Sequence, residues 1–99
     1  MKEDLRISVI QSSLFWERRQ DNLCHFEGLV AEAAGKSDLV VLPEMFTTGF
    51  SMNPGRLAEP MDGATMQAVK EWARKFGLAV AGSFIAEEGN HYYNRAFFA

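Results

Sequence analysis

The stretch DLVVLPEMFTTGF, Asp38 to Phe50, sets four apolar residues against a proline and follows the proline with a carboxylate. A short, continuous run rich in valine predicts a strand covered on both faces. Pro43 holds its own φ and pushes Leu42 towards extended backbone, so the chain leaves the strand with a defined geometry. Glu44 stands at that exit. Residues 43–61 then carry all 3 prolines together with Gly49 and Gly55, which predicts a long loop of the kind that serves function or moves.

The flanking segments give this strand its setting. Upstream, LRISVIQ (Leu5 to Gln11) is rich in Ile and Val and predicts a first strand. From Arg18 to Ala34 the apolar residues Leu23, Phe26, Val30 and Ala33 recur at helical spacing, charged residues fill the other faces, and Gly35 supplies a stop. Downstream, Asp62 is expected to cap a second helix that runs to Phe76, with Met66, Val69, Ala73 and Phe76 on its buried stripe. Lys70, Arg74 and Lys75 lie towards its C-terminal end and Gly77 closes it. LAVAGSFIA (Leu78 to Ala86) predicts a third buried strand, EEGN (Glu87 to Asn90) a hairpin turn, and HYYNRAFFA a returning strand. The order is βαβαβ followed by a hairpin: an α/β arrangement whose sheet is parallel except at the hairpin.

The totals exclude several classes. With 99 residues, 47% hydrophobic and 23% charged, the chain has the composition of one small globular unit, residues 1–99 forming a single domain or part of one. A net charge of −3 gives no electrostatic footprint for nucleic acid or an anionic membrane, and no apolar run matches a membrane span. Met-Lys-Glu-Asp is followed by no apolar h-region, so no signal peptide is expected. One cysteine, Cys24, rules out an internal disulfide and a cysteine-based zinc site, and a cytosolic protein is expected. Ending in Phe97-Phe98-Ala99, in mid-strand and without a polar tail, the chain is expected to be a fragment of a larger domain.

In open α/β sheets, sites gather beyond the carboxyl ends of the strands. Ser12-Ser13, Pro43-Glu44 and Ala86-Glu87 all fall there. Glu44 has the position of a general base, and the residue types alone leave it open between that role and a solvated turn carboxylate. Cys24 sits mid-helix on the edge of the apolar stripe, with no cation cluster or helix N-terminus to make it a thiolate, and is expected to be a partly buried structural cysteine. Adjacent His25 points away from it. Lys36, Lys70 and Lys75 are expected to be solvated charges, His91 exposed, Thr47 and Thr48 turn formers, and Trp72 a packing residue. Trp16 is divided evenly between packing and an oligomer surface. Phe46, Phe50 and Met52 follow Glu44 and either pack beneath the loop or line a pocket.

DLVVLPEMFTTGFSM resembles the segment of the nitrilase (carbon-nitrogen hydrolase) superfamily that carries its catalytic glutamate. RISVIQSSLFWERRQDNLCHFEGLV resembles that family's opening strand, loop and first helix, and AVAGSF with YYNRAFF resembles its third strand and hairpin. LPEMFTTGF is most similar to the bacterial omega-amidase-like branch, which hydrolyses the terminal amide of short dicarboxylic acid monoamides such as 2-oxoglutaramate. The resemblance implies the N-terminal part of a four-layer α-β-β-α sandwich, a homo-oligomer, and a Glu-Lys-Cys triad in which Glu44 is the general base. It also implies that the lysine and cysteine lie beyond Ala99, that Phe46, Phe50, Met52 and Asn94 are substrate-pocket candidates, and that no cofactor or metal is needed. The expected partner is a small-molecule amide. On that basis the 99 residues alone are expected to be inactive. The competing expectation, from the residues without the resemblance, is a non-catalytic α/β binding or oligomerisation module.

Overall fold

The computed structural model describes residues 5–49, 57–89 and 91–99. Among the described residues, four strands, β1 (Ile7–Val9), β2 (Leu39–Val41), β3 (Ala79–Glu88) and β4 (His91–Phe98), and two helices, α1 (Arg19–Ala33) and α2 (Ala64–Phe76), follow the expected order. They form one mixed sheet, β1-β2-β3-β4, in which β1, β2 and β3 are parallel and β4 returns antiparallel to β3. The first strand is shorter than Leu5–Gln11, because β2 offers only three register partners, Leu39 to Val41.

Register sorts the strand residues by face, since side chains alternate. Val40 and Val80 are paired and fully buried, and with Phe84 and Phe97 they meet Leu23, Phe26 and Val30 of α1 and Met66, Val69 and Trp72 of α2 in one core. The opposite face carries Ile7, Leu39 and Ala79 in one row, and Val9, Val41, Ala81 and Phe98 in the next. There Val9 is 64% exposed and Phe98 72%. The continuous apolar run of β2 predicts cover on both faces, whereas among the described residues only the helix face is sealed. Both helices pack on that one face.

The four stripe residues expected of α1 are all buried, and a fifth, Asn22, joins them. On α2, Met66 and Val69 are buried as expected, but the stripe continues through Thr65 and Trp72, leaving Ala73 and Phe76 half-buried. Trp72 draws the helix round. Its ring fills the space between the helices while its Nε1 donates to Glu27 Oε1 at 2.9 Å, so the large apolar surface and the polar tip are both satisfied. Gly77 ends α2 in the left-handed conformation at φ 65°, its N–H donating to Ala73 O at 3.0 Å.

Asp62 does not cap α2. Gly63 holds the N-cap position without a side-chain bond. Glu59 takes the capping role from outside the helix, its Oε1 accepting the Thr65 N–H at 2.8 Å and its Oε2 the Thr65 hydroxyl. The hairpin also differs from expectation: Glu87 and Glu88 pair with Tyr92 and His91, so both glutamates belong to β3 and not to the turn, while Asn90 lies outside the described residues.

Candidate active site

Because β1, β2 and β3 are parallel, the segments leaving their C-terminal ends converge on one edge of the sheet. The geometry there is built around the turn that follows β2. Leu42 is buried, its N–H donating to Ala81 O at 2.8 Å, and Pro43 turns the chain out of the sheet. Glu44 then stands exposed, and among the described residues its carboxylate has no hydrogen-bond or ion-pair partner.

The backbone beneath Glu44 is held tightly. Met45 adopts φ 49°, a left-handed conformation that costs a non-glycine residue about 1 kcal/mol or more. Its N–H donates to Ser83 Oγ on β3 at 2.9 Å, and its carbonyl accepts the N–H groups of Thr48 at 3.1 Å and Gly49 at 2.7 Å. Phe46 drops from the turn into the core. It is fully buried, in edge-to-face contact with Phe26 (5.5 Å), Trp72 (6.2 Å) and Phe97 (6.0 Å). An exposed carboxylate is thus carried two residues before a buried aromatic plug.

A second clasp joins this turn to the loop after β1. Asn22, completely buried at the head of α1, accepts the Phe15 N–H through Oδ1 and donates through Nδ2 to Phe15 O and Thr47 O, all at 2.7 Å. The Glu17 N–H donates to Thr48 O at 2.8 Å. Trp16, 57% exposed, lies against Gly49: a Cβ at that glycine would stand 2.8 Å from Trp16 Cε3. Thr47 and Thr48 are both buried, Thr48 Oγ1 donating to Gly49 O at 2.9 Å. Nearby, Ser12 Oγ lies 2.8 Å from His25 Nε2.

The far end of the long segment returns to the same edge. Glu59 forms a parallel bridge with Ala86 and is 5% exposed. Arg19 Nε lies 2.8 Å from Glu59 Oε2, and Arg19 also donates to Leu57 O at 2.6 Å. Arg19 and Asn22, one helical turn apart, therefore hold the outgoing and returning parts of this segment.

The remaining sequence candidates distribute as follows. Phe46 is in the core, while Phe50 and Met52 lie outside the described residues. Asn94 is exposed on β4 opposite Ile85, on the same strand as Ala96, the register partner of Ser83. Cys24 is exposed, not partly buried as expected, because its place at the edge of the stripe opens into a groove between the helices that it lines with Glu27 and Trp72, in a cavity of about 240 Å³. Among the described residues no three His, Cys, Asp or Glu side chains group as metal ligands, and no helix is long and apolar enough to cross a membrane. Sequence reasoning misses Asn22, Ser83 and Glu59. The available signals are a polar residue in register with Phe26 and Val30 on an apolar stripe, and a lone hydroxyl inside the run LAVAGSFIA.

Residues 6–99 match the family model described as carbon-nitrogen hydrolase. The omega-amidase YafV of Yersinia enterocolitica is 37% identical over 79 residues, covering 80% of this chain and 30% of the relative. The 2-oxoglutaramate amidase of Bacillus subtilis is 31% identical over 96 residues, covering 94% of this chain and 37% of the relative. Among solved structures, XC1258 from Xanthomonas campestris, a CN-hydrolase superfamily protein with an arsenic adduct in its active site, superposes with a TM-score of 0.93. It is 39% identical, and the match covers 99% of this chain and 37% of that one. The chain thus spans about a third of the length of these relatives.

Proposed function

The chain belongs to the carbon-nitrogen hydrolase family, in its omega-amidase-like branch, and from that membership we propose that it supplies the general base of an amidase, Glu44. The full-length enzyme releases ammonia from the terminal amide of a small dicarboxylic acid monoamide. One observation carries the assignment: among the described residues of the turn after β2, the only side chain with acid-base capacity presented to solvent is this carboxylate. A base must reach its substrate while its backbone stays put, and an exposed carboxylate on a backbone clasped by Ser83 and Asn22 meets both needs.

In the proposed chemistry a cysteine thiol gives its proton to Glu44 as sulfur attacks the amide carbonyl. The proton passes to nitrogen, ammonia leaves, and an acyl thioester remains. Glu44 next takes a proton from water, the hydroxide adds to the thioester, and the thiol is regenerated with the free acid. A lysine ammonium stabilises the tetrahedral oxyanion in both halves. Both partners come from the part of the domain outside these 99 residues. Cys24 does not serve, because it opens into the groove between the helices and not onto the sheet edge. We place the enzyme in the cytosol; the one cysteine among these 99 residues leaves them no internal disulfide.

The test is ammonia release from 2-oxoglutaramate by the full-length enzyme. Glu44→Gln is expected to lower kcat by roughly 10²- to 10⁴-fold, the usual worth of a positioned acid-base group. Circular dichroism should be unchanged, since the exposed side chain supports no packing. A near-wild-type kcat would sink the assignment. Residues 1–99 alone are expected to release none, and Glu44-dependent ammonia release from that polypeptide would contradict the need for outside partners.

A further inference from the structure

Among the described residues the Glu44 carboxylate has no hydrogen-bond or ion-pair partner, while its backbone is held by others and is strained at the adjoining position. Met45 at φ 49° would relax to an ordinary right-handed or extended conformation unless its surroundings prevented it. Relaxation means rotating the Glu44–Met45 peptide plane, and that rotation re-aims the Glu44 side chain. The N–H of this same peptide is the group that Ser83 Oγ accepts at 2.9 Å.

Ser83 is 6% exposed on β3, between Gly82 and fully buried Phe84, and is paired through register with Ala96 of β4. Its oxygen is therefore anchored by a strand with neighbours on both sides. The carbonyl of Met45 is held separately by the Thr48 and Gly49 N–H groups, and Phe46 is plugged into the core. With these downstream anchors fixed, the Ser83 hydroxyl is, among the described residues, the one side-chain hydrogen-bond partner of the Glu44–Met45 peptide, and it reaches across 38 positions of sequence to make that bond.

We propose that Ser83 is a positioning residue for Glu44, its hydroxyl holding the Glu44–Met45 peptide so that the carboxylate faces the reacting amide. The inference rests on Glu44 being the general base. Ser83 neither touches substrate nor moves a proton; it removes the freedom of one peptide plane. Loss of a single neutral hydrogen bond changes global stability little, whereas an angstrom-scale displacement of a base is costly to the rate.

The test is a graded series in the full-length enzyme with 2-oxoglutaramate as substrate: Ser83, Ser83→Cys and Ser83→Ala, in falling order of acceptor strength. We expect kcat to fall in that order, reaching a loss of roughly 10- to 100-fold in the alanine variant, as a misplaced catalytic group predicts. KM should stay within about twofold, because groups that bind the substrate but do not react with it are untouched. The same alanine substitution made in a Glu44→Asp enzyme, whose carboxylate is already displaced, should cost no more than about threefold, since coupled residues are not additive. A wild-type kcat in Ser83→Ala overturns the proposal, and so does an equal loss in both backgrounds, which is the behaviour of a merely structural contact. If Ser83→Ala does not fold, the cysteine variant decides alone, by its kcat loss in the two backgrounds. The single Glu44→Gln enzyme separates the two levels. Activity retained there removes the base assignment and this inference with it, while an inactive Glu44→Gln beside a fully active Ser83→Ala removes only the inference.

Discussion

At the level of single residues, the candidate site depends on how closely a few atoms approach. Gly49 combines φ 79° with Trp16 packed over its Cα, so that an added Cβ would lie 2.8 Å from Trp16 Cε3, 2.9 Å from Cζ3 and 3.2 Å from Leu14 Cδ1. Gly49→Ala in the full-length protein is expected to lose about 1–3 kcal/mol, from left-handed strain plus the displaced indole. A thermal melt unchanged within about a degree would show that the loop absorbs the methyl group freely. Met45 is the contrasting case, a left-handed residue with no glycine to ease it, and its strain is offset by the bonds at both ends of its peptide. Neither conformation is legible in the sequence, although TTG is recognisable as a turn, because the acceptor of the Met45 N–H lies on β3, 38 positions away.

At the level of elements, the first turn of α1 joins parts of the chain that are remote in sequence. Asn22 binds Phe15 and Thr47, and Arg19 binds Leu57 and Glu59. Asn22→Ala would leave the buried Thr47 carbonyl and the part-buried Phe15 N–H without their partner, while the Phe15 carbonyl keeps the Arg18 N–H, at roughly 1–3 kcal/mol for each group that water does not reach. The expected outcome is a loss of several degrees in melting temperature together with a kcat defect, and Asn22→Asp should not rescue it, since a carboxylate has no N–H to give the two carbonyls. Recovery of wild-type stability in Asn22→Asp would contradict the donor role. The helices themselves are legible from period, stop glycine and apolar stripe. The start of α2 is not, because Asp62 has the right residue type for a cap while Glu59, six positions before Thr65, has the geometry.

At the level of the whole molecule, the two faces of the sheet differ. One is sealed by α1 and α2; the other presents Ile7, Val9 and Phe98 to solvent. A four-layer sandwich would cover this face with a second sheet, and the 99 residues alone are expected to cover it by self-association. Light scattering should show oligomers of the isolated polypeptide, shifted towards monomer by Val9→Lys with Phe98→Lys, whereas a monomer before substitution would refute the expectation. For the full-length enzyme we propose a homo-oligomer.

What sequence alone settled is what near neighbours control. Leu39 to Leu42 followed by Pro43 define a strand and its exit, helical period defines α1 and α2, and Gly77 ends a helix because only nearby backbone is involved. The position of Glu44 after its strand follows from the same local rules, and the wider pattern of motifs supplied its expected role. Tertiary structure alone decided that its turn is pinned by Ser83 and Asn22, and that Glu59 caps α2 while pairing with Arg19. The contacts of Asn22 with Thr47 and of Ser83 with Met45 span 25 and 38 positions of sequence. Hydrogen-bond partners so distant become neighbours only when three parallel strands bring their C-terminal ends to one edge.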